Sequence, residues 1–130
     1  MPGSQDLAAV AQLAAETPEL DLLLLFGSRA RGDVHPGSDW DFGFLAGPGF
    51  DPDDLLARLV LQLEVDDVDL VDLSRAGGLL RFRAAGEGKP LFESRPHCFF
   101  DFAFEAISFW CDMEPVLRDA YEGVLEDLRK

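Results

Sequence analysis

Leu7, Val10, Ala11 and Ala14 recur at intervals of three and four behind Ser4, a residue suited to cap a helix, and Pro18 ends the pattern. A first helix is therefore expected over residues 5–16. Residues 22–26 form an unbroken apolar run that reads as a strand buried on both faces, and Gly27 stops it. A second strand is expected over residues 41–45, bounded by Gly47, Pro48 and Gly49, with a loop of turn-forming residues between the two strands. Asp51 before Pro52 is an N-cap with proline in the first helical position, and Leu55, Leu56, Leu59, Val60 and Leu63 mark one face of the helix that follows.

The period then changes to two. Across residues 65–73, "VDDVDLVDL", a period of two puts Val65, Asp67, Asp69, Val71 and Leu73 on one side and Asp66, Val68, Leu70 and Asp72 on the other, which predicts a third strand with acids on both faces. Ser74 is the expected cap of a short helix through Leu79, Leu80 and Phe82, with Gly86 ending it, and residues 90–92 suit a short edge strand. From Pro96 the pattern is helical almost to the end. Its first part, "CFFDFAFEAISFW", is too rich in aromatics for one narrow stripe, so part of that cluster is expected to meet something other than the local core.

Length and composition narrow the picture. With 130 residues, 48% of them hydrophobic, the chain suits a single domain over 1–130, with a core over about 5–93 and a helical segment over about 96–128. Its net charge of -14, from 25 acidic and 11 basic residues, leaves no basic stripe of the kind that phosphate backbones require, which argues against general nucleic-acid binding. Cys98 and Cys111 have neither disulfide-framework nor zinc-ligand spacing. The N-terminal stretch lacks a basic n-region and no apolar run is long enough to span a bilayer, so the expectation is a cytoplasmic protein without membrane association.

Against this background Asp39 and Asp41 stand out. Residues i and i+2 of a strand share a face, so two carboxylates about 7 Å apart along the chain would point to one site at a strand mouth. Such a pair repels unless a cation compensates, and hard oxygen donors suit Mg²⁺. A third acid, Asp67, Asp69 or Asp72 of the alternating strand, would complete a two-metal clamp. Gly27 lets a phosphate approach the backbone and Ser28 adds a donor, while Arg29 and Arg31 bring fixed positive charge to the same loop. His35, in the loop within reach of a substrate, and His97, with no identifiable partner, both read as solvated.

The run "GSRARGDVHPGSDWD", with Gly-Ser, ten residues and then Asp-x-Asp, resembles the signature of the DNA polymerase beta superfamily in its minimal nucleotidyltransferase branch. The continuation "VDLVDLSRAGGLLRFRAAGEGKPLFES" and the acidic, aromatic C-terminal helix are similar to the MntA antitoxin adenylyltransferases paired with HEPN-domain toxins. This resemblance implies an α/β (α+β) nucleotidyltransferase fold, a small mixed sheet flanked by helices with a long C-terminal helix. It implies that Gly27 and Ser28 bind the nucleotide, beside Arg29, Arg31 and Ser38 as further candidate nucleotide-binding residues, and that Asp39, Asp41 and Asp69 are the catalytic, metal-binding carboxylates, with Asp72 as the fallback for the third. It further implies ATP as substrate, two Mg²⁺ ions, and transfer of AMP to a hydroxyl, a tyrosine, of a cognate HEPN ribonuclease toxin held in a hetero-oligomer. Only about 60 residues follow the third acid, too few for an acceptor-binding domain, so a partner protein is expected to bring the acceptor and the aromatic helix to be where it docks. The alternatives are a small-molecule nucleotidyltransferase, a non-catalytic antitoxin acting by contact, and a scaffold with a vestigial site.

Overall fold

Every residue of the first strand except Asp21 is buried, as its apolar run over residues 22–26 requires, and the rest of the fold is arranged around it. The computed structural model describes residues 4–32 and 39–128. Within them the order is α1 (Ser4–Ala15), β1 (Leu20–Phe26), α2 (Ser28–Arg31), β2 (Trp40–Ala46), α3 (Pro52–Leu63), β3 (Val68–Asp72), α4 (Gly78–Glu87), β4 (Lys89–Glu93) and α5 (Cys98–Leu128). The four strands form one mixed sheet in the order β3-β2-β1-β4. β1 runs antiparallel to both β2 and β4, whereas β2 and β3 are parallel. Parallel neighbours need a crossover, and α3 supplies it.

Alternation along the strands divides the core into two layers. On one side Leu23, Leu25, Trp40, Phe42 and Phe44 pack against Val10 and Ala14 of α1 and Leu55 and Leu59 of α3. On the other, Leu22, Leu24 and Leu73 meet Ala84 and Ala85 of α4 and Cys98, Phe102 and Ala106 of α5. Helices thus cover both faces of the sheet.

Most expected elements are present, and their boundaries differ for local reasons. β1 starts at Leu20 rather than at residue 22, and β3 is confined to Val68–Asp72, so residues 65–67 approach it outside the ladder. α3 has the expected cap: the Asp51 carboxylate accepts the backbone N–H groups of Asp53 and Asp54. Ser74 caps no helix. It is tied back to Asp72 instead, and α4 starts at Gly78 behind Gly77, which makes no side-chain capping bond. That helix passes Gly86 and ends at Glu87, with Gly88 at its C-cap. The loop after β1 holds one turn of helix, α2, whose Ala30 and Arg31 N–H groups donate to the Gly27 carbonyl.

On α5 the aromatic segment divides between core and surface. Phe102 is buried in the core, whereas Phe100 and Phe104 are 63% and 66% exposed and stacked on each other. Ile107, 38% exposed, continues this face at helical spacing, whereas the Phe109 ring lies on the side of α5 that meets Gly78 of α4. Cys98 is buried and Cys111 exposed, and neither is in a disulfide. Among the described residues no helix is long and apolar enough to cross a membrane.

Candidate functional site

The end of β1 and the beginnings of β2 and β3 lie at the same end of the sheet, because β1 is antiparallel to β2 and β3 is parallel to it. In the ladder, Phe26 stands opposite Asp41, and Asp41 opposite Asp69. Directly paired residues share a face. Asp41 and Asp69 therefore belong to the face covered by α4 and α5, at the mouth where Gly27 leaves the sheet, and Asp39, just before β2, is near enough for its charge to act on Asp41. Asp39 and Asp69 are exposed and Asp41 is half-buried.

Electrostatics couples these groups. The Asp41 carboxyl is pushed above its ordinary pKa, first by burial, then by the negative charges of Asp69 and Asp39, while the Arg31 guanidinium offsets part of the effect. An acid held in this way destabilises its own ionised form, and a cation at the mouth would relieve it. The donors are hard carboxylate oxygens, which fit Mg²⁺. Among the described residues no group of three or more His, Cys, Asp or Glu side chains is set to hold a metal ion as it stands.

Gly27 shapes the mouth. Its φ is +77°, and a Cβ at this position would collide with Oδ2 of Asp41. The left-handed turn and the close approach of the carboxylate both require glycine. Replacing Gly27 by alanine should cost about 1–2 kcal/mol for the backbone conformation alone, and more because Asp41 must move. Urea denaturation of Gly27→Ala should show the larger loss in wild type and only the backbone part in an Asp41→Ala background. Equal losses in the two backgrounds would mean that the carboxylate does not rest against Gly27.

The remaining candidates separate. Asp72 stands opposite Phe44, an odd number of residues from Asp69 and hence on the other face of the sheet. Its Oδ1 accepts from the Ser74 N–H at 3.0 Å and the Ser74 hydroxyl at 2.6 Å. Asp67 precedes β3, and its carbonyl accepts the Trp40 N–H at 3.0 Å. Arg31 is bonded to Glu87 of α4 at 3.0 Å. The Arg29 guanidinium lies 4.1 Å from the centroid of the Trp40 ring, and that ring belongs to the α1 and α3 side of the sheet. Ser28 opens α2 next to Gly27. Ser38 and His35 lie outside the described residues.

Two residues near the site escaped the sequence reading. Trp40 had a signal: as the middle residue of Asp-Trp-Asp it must point to the face opposite the acids. Glu87 had none, because its pairing with Arg31 spans 56 positions.

Comparison with known proteins agrees with this geometry. The profile of the family described as polymerase beta, nucleotidyltransferase, matches residues 9–97. The protein adenylyltransferase MntA of Aphanizomenon flos-aquae is 32% identical over 94 residues, 63% of this chain and 63% of its own length. The MntA protein of Shewanella oneidensis is 38% identical over 78 residues, 58% of this chain and 55% of its own. The chain thus matches less than two thirds of either curated relative. Among solved structures, a chain from a crystal structure of a toxin-antitoxin with AMP-PNP is 30% identical, with a TM-score of 0.70, and the match covers 96% of this chain and 98% of that one. A chain from the tri-AMPylated Shewanella oneidensis HEPN toxin in complex with MNT antitoxin is 27% identical, with a TM-score of 0.67 and coverage of 97% and 98%. With the glycine turn and the facing carboxylates falling inside the matched 9–97 stretch, the chain belongs to the polymerase beta nucleotidyltransferase family.

Proposed function

We propose that this chain is a Mg²⁺-dependent protein adenylyltransferase that transfers AMP from ATP to a tyrosine hydroxyl of a cognate HEPN ribonuclease toxin, and so acts as its antitoxin in the cytoplasm. The observation that carries the reading is the register that sets Asp69 opposite Asp41, beside Gly27 and Ser28. It is supported by the names of the relatives and by the toxin-antitoxin structures with which the fold superposes.

Each residue has a definite part in this reaction. The Gly27 turn and the start of α2 receive the triphosphate on their backbone, with Arg31 adding positive charge beside Asp41. Asp39, Asp41 and Asp69 hold the Mg²⁺ ions, which supply neutralisation of the charge that develops on the phosphates. Asp69 also orients the attacking hydroxyl and takes its proton. The hydroxyl oxygen bonds to the α phosphorus, the bond to the β phosphate breaks, and pyrophosphate leaves. The acceptor arrives on the partner, docked against the exposed apolar face of α5 that carries Phe100, Phe104 and Ile107.

The test is intact mass spectrometry of a purified HEPN partner after incubation with this protein, ATP and Mg²⁺. One or more added AMP groups, lost on treatment with EDTA, are the expected result. A partner of unchanged mass beside adenylylated small hydroxyl compounds would overturn the choice of acceptor, and neutralisation that persists without ATP would point to an antitoxin acting by contact.

A further inference from the structure

Arg29 reads from the sequence as a nucleotide ligand, yet the structure engages its guanidinium elsewhere. It lies over the indole of Trp40, which is only 5% exposed and whose ring also stacks on Phe42 at 6.0 Å between centroids. Trp40 occupies a particular place in the site. Asp39 precedes it and Asp41 follows it, its backbone N–H donates to the Asp67 backbone carbonyl, and it stands opposite Val68, next to Asp69, in the parallel ladder. Arg29, for its part, sits in the single turn of α2, directly after Gly27 and Ser28. Its ring contact therefore joins the segment that would hold the nucleotide to the strand that carries Asp41 and follows Asp39, and Trp40 ties that strand to the one that carries Asp69.

We infer that Arg29 is a positioning residue: by clamping α2 onto the Trp40 ring, on the face of the sheet opposite the carboxylates, it sets the distance between the Gly27 and Ser28 turn and the Asp39, Asp41 and Asp69 mouth. The chemistry of the pair fits this part. A guanidinium over an indole is the strongest of the common cation and ring contacts, and a buried ring stacked on a core phenylalanine gives it a rigid base. A single helical turn has too few internal hydrogen bonds to hold itself in place, so a contact from its own side chain to the core has a large effect on where it lies. Arg31, two positions later, is held to α4 through Glu87, so the two arginines anchor the turn to opposite layers of the fold.

This inference rests on the proposed nucleotidyl transfer, and its test keeps the two separable. In a Trp110→Phe background Trp40 is the sole tryptophan, and its emission should change in intensity or wavelength when Arg29 is replaced by glutamine. Unchanged emission would overturn the clamp whether or not the protein transfers AMP. The functional arm is a double-mutant cycle read on calorimetric binding of Mg²⁺ and AMP-PNP and on kcat for transfer. Arg29→Gln and Trp40→Leu should each reduce these by about two- to thirtyfold, the range set by a cation and ring contact of this kind. The double variant should lose no more than either single one. Trp40→Phe, which keeps a ring and spares the core, should retain most of the activity and remain sensitive to Arg29→Gln. Effects that multiply in the double variant, or an Arg29→Gln loss that is the same whether residue 40 is tryptophan, phenylalanine or leucine, would make Arg29 a direct phosphate ligand and sink the inference.

Discussion

Replacing Asp41 by asparagine should reduce AMP transfer by at least about 10²–10³-fold, on the scale of removing one preorganised electrostatic group from a reaction centre, and should make the protein more stable at neutral pH. The two effects have one cause. Burial and the charges of Asp69 and Asp39 raise the Asp41 pKa in the folded protein above the ordinary value of 3.8. A folded state that binds this proton more tightly than the unfolded chain has its full advantage at pH below 3.8, and loses it as pH rises through the folded pKa. At pH 7 the ionised carboxylate is thus a cost to folding, and asparagine removes it. In urea melts, Asp41→Asn should exceed wild type at pH 7 and lose that lead as the pH falls below the carboxylate range. Mg²⁺ should raise the wild-type melting temperature more than that of the variant, since a ligand stabilises only the state that binds it. A variant less stable than wild type at pH 7 would show that the carboxylate supports the fold rather than straining it.

That tension is also why the site was legible in the sequence. An acid at the mouth of a buried strand violates the pattern that the rest of the chain obeys, and such violations concentrate where function is. Gly27, Ser28, Asp39 and Asp41 follow from local rules: the end of an apolar run, the need for a residue without a side chain, and the period of two. The strands and most helices follow in the same way from their apolar spacing, and so does the Asp51 cap before Pro52, which accepts the N–H groups of Asp53 and Asp54.

What local rules do not supply is register across the sheet. Nothing in "VDDVDLVDL" says which acid faces Asp41, because a slip of one residue moves every side chain to the opposite face. The choice of Asp69 came from family likeness, and the ladder pairing sets it there physically. Long-range partners were equally hidden. Arg29 and Arg31 read alike as cations on a loop, yet one is held by Trp40 and the other by Glu87, in different layers. The α4 boundaries failed for a different reason: Ser74 has good capping chemistry, but Asp72 lies two residues before it and captures both its N–H and its hydroxyl.

The contrast between Asp69 and Asp72 gives the second large effect. Asp69→Asn should lower transfer by about 10²–10³-fold with little change in the melting temperature, since Asp69 is exposed and the loss is of charge at the reacting end of the sheet. Asp72→Ala should do the reverse. It stands three residues, about 10 Å, farther along the strand and on the other face, so transfer should survive within a few fold. The variant should nevertheless lose about 1 kcal/mol of stability for the acceptor it withdraws from Ser74. The nearby Arg75, 3.8 Å away and 89% exposed, adds little to that cost. Measuring both variants for transfer and for urea stability separates catalysis from turn formation at two acids three positions apart. If Asp72→Ala abolishes transfer in a folded protein while Asp69→Asn retains it, the third carboxylate has been placed on the wrong face of β3, and the reaction centre must be rebuilt around the Phe44 side of the sheet.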